Sequence, residues 1–401
     1  MNQNLQKLNI DFLKSMSYQT DEYAESIIHE IAQENDFEEL RHLFKLLNDN
    51  NDLAQNPNLH RSVNNYFKKE MDLPYWADRN KIELAQNVYL RFAPQIAIVL
   101  NFKALPLCYL CKNGAKVLTA TGRLTGGDKD IARTMRRLFE TSQMVINVMS
   151  PGGFDIEGKG IITIKKVRLY HAAIRYFLVN PKYNPHGWDV ETFGKPINQE
   201  EMAGTLMAFS ALVIDGIEQM GAILTDEEKD AYQHCWNIVG HFIGLSPKFY
   251  PNSFKEGWEL GIAIIQRNND ESLEGKQLTT SLLDFSTNFM NDTLIDKILM
   301  DTLPYYLINY YVKDVSKKIN VNILKSLGVN KKLSIFDKFK GWIFLFILKK
   351  LTKIENKSTI FRYLFSTFSQ KFLQGMINQH LKTYNTEFYI PSSLKESWNL
   401  R

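Results

Sequence analysis

The chain has 401 residues, 44% of them hydrophobic, enough to bury a sizeable core in one large or two medium domains. Its 48 Lys and Arg against 44 Asp and Glu leave a net charge of +4, too balanced to point to a nucleic-acid partner. Three cysteines are too few for a disulfide framework and suit a reducing compartment.

The start, "MNQNLQKLNIDF", lacks the basic segment and apolar run of a secretory leader, so a cytosolic location is expected. Residues 1–56 carry four Lys/Arg against eleven Asp/Glu. They read as helical, with Asn35 and Glu38 forming a capping box before "DFEELRHLFKLL". The first unit is therefore an acidic helical N-terminal region, 1–72. A core, 73–290, begins where "LPYWADRNKIELAQNVYLRFAPQIAIVLNFKALPLCYL" takes over, its prolines at 74, 94 and 106 punctuating apolar helical pieces. No run of 18 apolar residues long enough to span a bilayer is apparent. Cys108 and Cys111 form a CxxC without the following histidine of a covalent cofactor attachment and without a second cysteine pair for a zinc site. Both read as small buried hydrophobes.

Residues 129–149 place Ala132, Met135, Phe139, Ser142, Ile146 and Met149 on one helical stripe and Arg133, Arg137, Glu140 and Thr141 on another. "SPGGFDIEGKG" breaks that helix, "KGIITIKKV" is the only plausible strand, and a helix then runs to Pro181. Asn198 and Glu201 make a second capping box for a helix over 199–220 that mixes Met202, Leu206 and Phe209 with Ala203, Gly204, Ala208 and Ala211. Those small residues let another helix or a flat ligand approach its backbone. Thr225 and Glu228 make a third box, and the helix after it sets Trp236, Gly240 and Gly244 four residues apart, as close helix packing requires. With almost no period-two alternation, the fold class is all-α. The last unit, 291–401, is a basic helical region packed on the core. Within it, residues 331–371 hold ten Lys/Arg and two Asp/Glu around "WIFLFIL" and "IFRYLF". That pattern fits a core-facing helical pair with a solvated basic back, or a surface that lies on an anionic membrane.

The chemistry concentrates in "VRLYHAAIRYFLVNP", 167–181, where Arg168, His171 and Arg175 project from one helical face. Two cations beside an imidazole depress its pKa and cost energy unless something anionic or metallic lies opposite. Haem b would supply an iron for a neutral imidazole and propionates for two guanidiniums. Zinc needs three or four ligands, and none of the other seven histidines stands at metal-ligand helical spacing from His171. His234 and His241, seven apart, share a face without the i, i+4 spacing of a zinc-binding helix. A nucleophile–His–Asp triad stays open, although no GxSxG surrounds any serine.

"TGRL", "RLFET", "RLYHAAIR", "PINQEE" and "EEKDAYQHCWNIVGHFIGL" occur in that order between about Leu73 and Phe285. In order and approximate spacing they resemble the latex-clearing-protein/MpaB-type oxygenase family. The resemblance implies one haem b in an all-α, globin-like core, and dioxygen as co-substrate for oxidative attack on an unsaturated, lipophilic isoprenoid. It implies His171 as the iron ligand, with Arg168 and Arg175 as the arginines beside it. It also implies a distal side from Arg137, Glu140 and Thr141, where the family's rubber enzymes carry Arg-x-x-Lys-Thr. Glu140 replaces a lysine that can ligate iron in the resting rubber enzyme, and a carboxylate is the harder, weaker iron ligand. Glu140 then leaves the sixth site open to dioxygen or acts as a base on an allylic proton; its alternative is a surface ion pair with Arg136 or Arg137. Asp128 is the nearest counterpart of the family's other acidic residue. The reading is a haem-b-dependent oxygenase. A non-enzymatic haem- or lipid-binding protein at a membrane surface is the alternative from another class, and a helical fold with no cofactor the third.

Overall fold

The computed structural model describes residues 8–33, 43, 60–69, 71–124, 130–156, 158–182, 184, 187–291 and 301–355, with backbone alone for 121–124, 130–139, 288–291 and 354–355. The helices longer than one turn are α1 (Ile10–Met16), α2 (Glu22–Gln33), α3 (Arg61–Lys68), α4 (Arg79–Val99), α5 (Leu105–Leu110), α6 (Lys112–Leu124), α7 (Asp130–Met149) and α8 (Lys159–Val179). They continue with α9 (Gln199–Phe209), α10 (Ala211–Gln219), α11 (Asp226–Ile243), α12 (Phe254–Asn268), α13 (Leu273–Asn291), α14 (Leu303–Ile319) and α15 (Ile335–Glu355). Among the described residues the only β pairing is an isolated bridge from Cys111 to Asn269, so the fold is all-α.

A continuous helical rod, 79–110, forms the centre: α4 passes through a π turn at Leu100–Ala104 directly into α5. Its prolines, expected to divide it, do not. Pro94 bends the rod, leaving Phe92 at φ −122°, ψ 19°. Pro106 lies in the first turn of α5. A proline ring costs a hydrogen bond inside a helix but little at its start. Read as one rod, this segment is long and apolar enough to cross a membrane, which the residue-by-residue count missed. Inside the fold it is a core element, 67% of its most apolar window being buried. It packs on α10 and α11.

Three further expectations change. "KGIITIKKV" is not a strand but the start of α8. Before it the Gly160 N–H donates to Gly153 O at 3.0 Å, and a Cβ on Gly160 would collide with that carbonyl. The glycine-rich turn therefore closes backbone against backbone, and α8 folds back along α7. Ile161 and Ile164 then meet the core one helical turn apart, which outweighs β propensity. The single helix over 199–220 is two, divided at Ser210 (φ −102°, ψ −91°), whose hydroxyl donates back to Leu206 O at 2.9 Å. Finally, Gly240 is the close-packing glycine, where a Cβ would meet Leu206 Cδ2 at 3.0 Å. Gly244 instead ends α11 in the left-handed region at φ 86°.

At Thr225 and Asn198 the N-cap side chain accepts as its sequence suggests, but the reciprocal bond of a capping box forms at Thr225 and not at Asn198. Thr225 and Glu228 exchange both bonds of a capping box, and Asn198 Oδ1 accepts the Glu201 N–H at 2.9 Å. The Asn35–Glu38 box lies outside the described residues. Around the rod, α8 is clasped by α2, α7 and α11, while α13 packs across α6 and α7, and α14 lies between the π turn and α15.

Candidate functional site

Helix α8 brings three polar side chains into an otherwise apolar environment, and two of them find carboxylates from the N-terminal segment. Arg168 grips Asp21 through both ends of its fork, Nε to Oδ2 at 2.5 Å and Nη2 to Oδ1 at 2.8 Å. The pair presses against Gly244, where any Cβ would strike Asp21 Oδ2, so the left-handed glycine makes room for it. Arg175, only 3% exposed, contacts Glu25 Oε1 through Nε at 2.5 Å and donates from Nη1 to Ile197 O at 3.1 Å. Its Nη2 is buried without a hydrogen-bond partner. The expectation that both guanidiniums await an outside carboxylate is corrected for Arg168, which Asp21 already satisfies. Arg175 keeps one terminal nitrogen available. It also lines a pocket of about 220 Å³ between α2 and α8, together with Thr20, Glu25, His29, Tyr176 and Lys195.

His171 has no such compensation. Its Nδ1 is buried with no hydrogen-bond partner, an arrangement that costs roughly 1–3 kcal/mol if nothing fills it. Burial, reinforced by the Arg175 charge, pushes the imidazole down to about 3. The ring is thus neutral throughout the physiological range, with a lone pair free for coordination. Among the described residues no three His, Cys, Asp or Glu side chains converge as a metal cluster. A single protein nitrogen suits a metal whose other ligands come from a macrocycle, and the residues present fit haem in that respect.

The α7 stripe stands at the height of this imidazole. Asn147 Nδ2 donates to Thr163 Oγ1 at 2.9 Å, which pins α7 to α8 near their connecting turn. Counting the same rise of 1.5 Å per residue away from that pin brings Thr141 level with Leu169 and Arg137 level with Ala173, either side of His171. Glu140 and Thr141 are half-buried. The Arg137 side chain and Asp128 lie outside the described residues. His234 and His241 belong elsewhere: both rings stand edge-on to Trp76, and His234 Nε2 accepts the Asp78 N–H at 3.0 Å. Burial raises the Cys108 thiol to about 12 and carries Cys111 well above its ordinary value, so neither is a reactive thiolate.

Several groups escaped the sequence reading. Asp21 and Glu25, the carboxylates that meet α8, are spaced i, i+4 in a segment noted only for its overall acidity. Lys103 is fully buried and ion-paired with Asp215; burial pushes the lysine down and the aspartate opposes that shift. The signal for this pair was one lone charge in each of two apolar runs, "LNFKALPL" and "ALVIDGI". Glu201, chosen as a capping residue, has Oε1 buried without a partner, and burial raises its carboxyl to about 8.

Fold and site together define an all-α protein with a neutral, half-buried imidazole whose Nδ1 has no partner, on a helix packed against the one that carries Glu140 and Thr141. Residues 99–290 match the family described as "ER-bound oxygenase mpaB/B'/Rubber oxygenase, catalytic domain". The rubber oxygenase of Streptomyces sp. (strain K30) is 22% identical over 282 residues, covering 66% of this chain and 63% of that protein. The chain therefore spans under two thirds of that relative's length. The structure of latex clearing protein in the closed state superposes with a TM-score of 0.63 over 96% of this chain and 91% of that chain, at 16% identity. At that identity the likeness is one of fold.

Proposed function

We propose that the chain is a haem-b-dependent oxygenase that uses dioxygen to cleave or oxygenate an unsaturated, lipophilic isoprenoid. The observation that carries this reading is the half-buried His171, kept neutral and left with its buried Nδ1 unpartnered. The match of residues 99–290 to a family whose description names oxygenases supports the reaction class. The rubber oxygenase from Streptomyces supports a polyisoprene-like substrate.

In this reading His171 would hold the haem iron, and Arg175 Nη2 would be the donor left for a propionate. When bound, haem supplies dioxygen binding and the redox chemistry, which no side chain here provides. The chain's own contribution is threefold. Burial and Arg175 keep the His171 lone pair unprotonated. The apolar residues of α8 itself, including Ile164, Ile174 and Leu178, are buried and exclude water from its surroundings. Glu140 and Thr141 provide a proton acceptor and a hydroxyl at the level of the imidazole, with Glu140 taking the allylic proton of the substrate.

Reconstitution with haem tests the assignment directly. A Soret band equivalent to about one non-covalent haem per chain is expected, lost in His171→Ala and retained in His234→Ala and His241→Ala. Equal loss in all three variants, or no band in the parent chain, removes it. With haem content unchanged, Glu140→Gln should lower prenyl-substrate turnover by roughly 10²-fold.

A further inference from the structure

Helix α15 has two apolar faces, and the fold uses one. On the inner face Leu345 and Leu348 are buried, Thr352 Oγ1 accepts from Gln95 Nε2 at 3.3 Å, and Gly341 lies so close that a Cβ would run into the Tyr306 ring. On the outer face Phe336, Phe339, Trp342, Ile343, Phe346 and Ile347 are each at least 36% exposed, and Ile335 ahead of them is 88% exposed. Isolated exposed apolar residues are ordinary, but a contiguous strip of this kind marks an interaction surface. Three of its rings form a ladder: Phe339 stacks on Trp342 at 6.1 Å and 17°, and Trp342 on Phe346 at 5.3 Å and 22°. At 1.5 Å per residue the strip is about 18 Å long, enough to lie along a surface and too short to cross a bilayer.

The charges beside the strip select its partner. At 100° per residue, Lys338 and Lys349 fall on one border and Lys340 on the other, with Lys350 and Lys353 at the C-terminal end. Lys338, Lys350 and Lys353 are exposed, and Lys350 Nζ stands 5.4 Å from the Phe346 ring centre. Asp337 lies off the strip, engaged with Ser334 and Thr302, whose hydrogen bonds hold its carboxyl down at about 2, and paired at 3.6 Å with the mostly buried Lys340, so the free charge of the strip is that of Lys338, Lys350 and Lys353. A second copy would bring one lysine border against another across a two-fold axis. The chain that follows α15, 356–401, holds six Lys/Arg and two Asp/Glu, so it offers the same unfavourable sign. An anionic lipid surface answers both features, with acyl chains for the aromatic strip and headgroups for the lysines.

We propose that the outer face of α15 seats the protein on an anionic bilayer, with Phe339, Trp342 and Phe346 at the headgroup–acyl boundary and the lysines among the headgroups. The test is flotation of the full chain with phosphatidylcholine vesicles, with and without phosphatidylglycerol, at low and high salt. Binding should require phosphatidylglycerol and weaken with salt. The combined Phe339→Ser, Trp342→Ser and Phe346→Ser variant should bind roughly tenfold more weakly or worse at unchanged helix content. Lys338→Glu with Lys350→Glu and Lys353→Glu should remove the salt dependence. Acrylamide should quench Trp342 in solution, measured as the difference from Trp342→Phe, and vesicles should protect it. The proposal is overturned if the parent chain ignores anionic vesicles or the aromatic variant binds like the parent. It is equally overturned if Trp342 is already shielded without vesicles, which would assign the strip to the chain's own remaining residues. A dimer that the aromatic variant dissociates, with no vesicle binding, would assign it to a second copy.

Discussion

The two ends of the chain carry the same kind of signal, amphipathic helices with a strong charge bias, yet fold to opposite ends. The acidic N-terminal helices are drawn inward: Asp21 and Glu25 each meet an arginine of α8, Tyr66 donates to Lys165 O at 2.9 Å, and Ile28 and Ile31 are fully buried. The basic α15 stops halfway, burying Leu345 and Leu348 and leaving a row of aromatic rings outside. The difference lies in the partner, not in the helices. For the N-terminal carboxylates the chain supplies buried guanidiniums, whereas Lys338, Lys350 and Lys353 of α15 stand exposed.

If that comparison is right, the N-terminal pairs are strongly coupled to stability. The Arg168 and Asp21 side chains are 13% and 5% exposed, so removing one partner strands a charge in a poorly solvated place. Asp21→Ala should cost about 3 kcal/mol in denaturant unfolding. Asp21→Ala combined with Arg168→Met should recover much of that loss, because the stranded charge disappears. Strictly additive losses would mean that the two side chains touch without mattering to each other.

How much of this was legible beforehand divides along the same line. The helical class, the C-terminal end of the His171 helix and the Thr225–Glu228 box followed from spacing and capping chemistry, which are local. The clustering of Arg168, His171 and Arg175 was equally local. That Asp21 would claim Arg168 was not, since nothing in a sequence measures which of two distant segments will meet. The prolines of the central rod misled for a related reason: a helix bends at Pro94 rather than ending when the residues beyond it have a core to join. "KGIITIKKV" shows the converse, a β-favouring run overruled by a glycine turn that needs its backbone to come close. The outer face of α15 was visible as apolarity, but which of its two apolar sides would find the core depended on Tyr306 meeting Gly341.

That last contact gives the next sharpest test. Gly341→Ala should destabilise by about 2 kcal/mol, the scale of overpacking, because the Tyr306 ring must move. Loss of the α14–α15 contact should show as earlier proteolysis of the C-terminal helix. A smaller effect belongs to Glu201, the carboxyl that, unlike Asp21, leaves an oxygen without a partner. Its folded-state value of about 8 lies above the ordinary 4.5, so its contribution to stability is complete below 4.5 and is lost as pH rises toward 8. Within that window stability should decline by up to about 1.4 kcal/mol per pH unit from this group, and Glu201→Gln should flatten the decline. An unchanged slope in the variant would mean that the carboxyl is solvated after all.

The smallest expected effect completes the comparison between ends. Trp342 is 53% exposed and its contacts are with Phe339 and Phe346, rings that are themselves exposed. Replacing it should therefore change folding stability little, within about 0.5 kcal/mol, the range for surface positions that support nothing beneath them. A tryptophan of the same exposure that served the core through its inner edge would behave differently: Trp342→Ser would then shift the denaturation midpoint as Gly341→Ala does, although the two residues are adjacent. The pair therefore measures the two faces of one helix separately. A large loss at 341 beside a near-zero change at 342 is the signature of a face the fold has left for something else. Equal losses would return the aromatic ladder to the protein's own core and remove the contrast between the two ends of the chain.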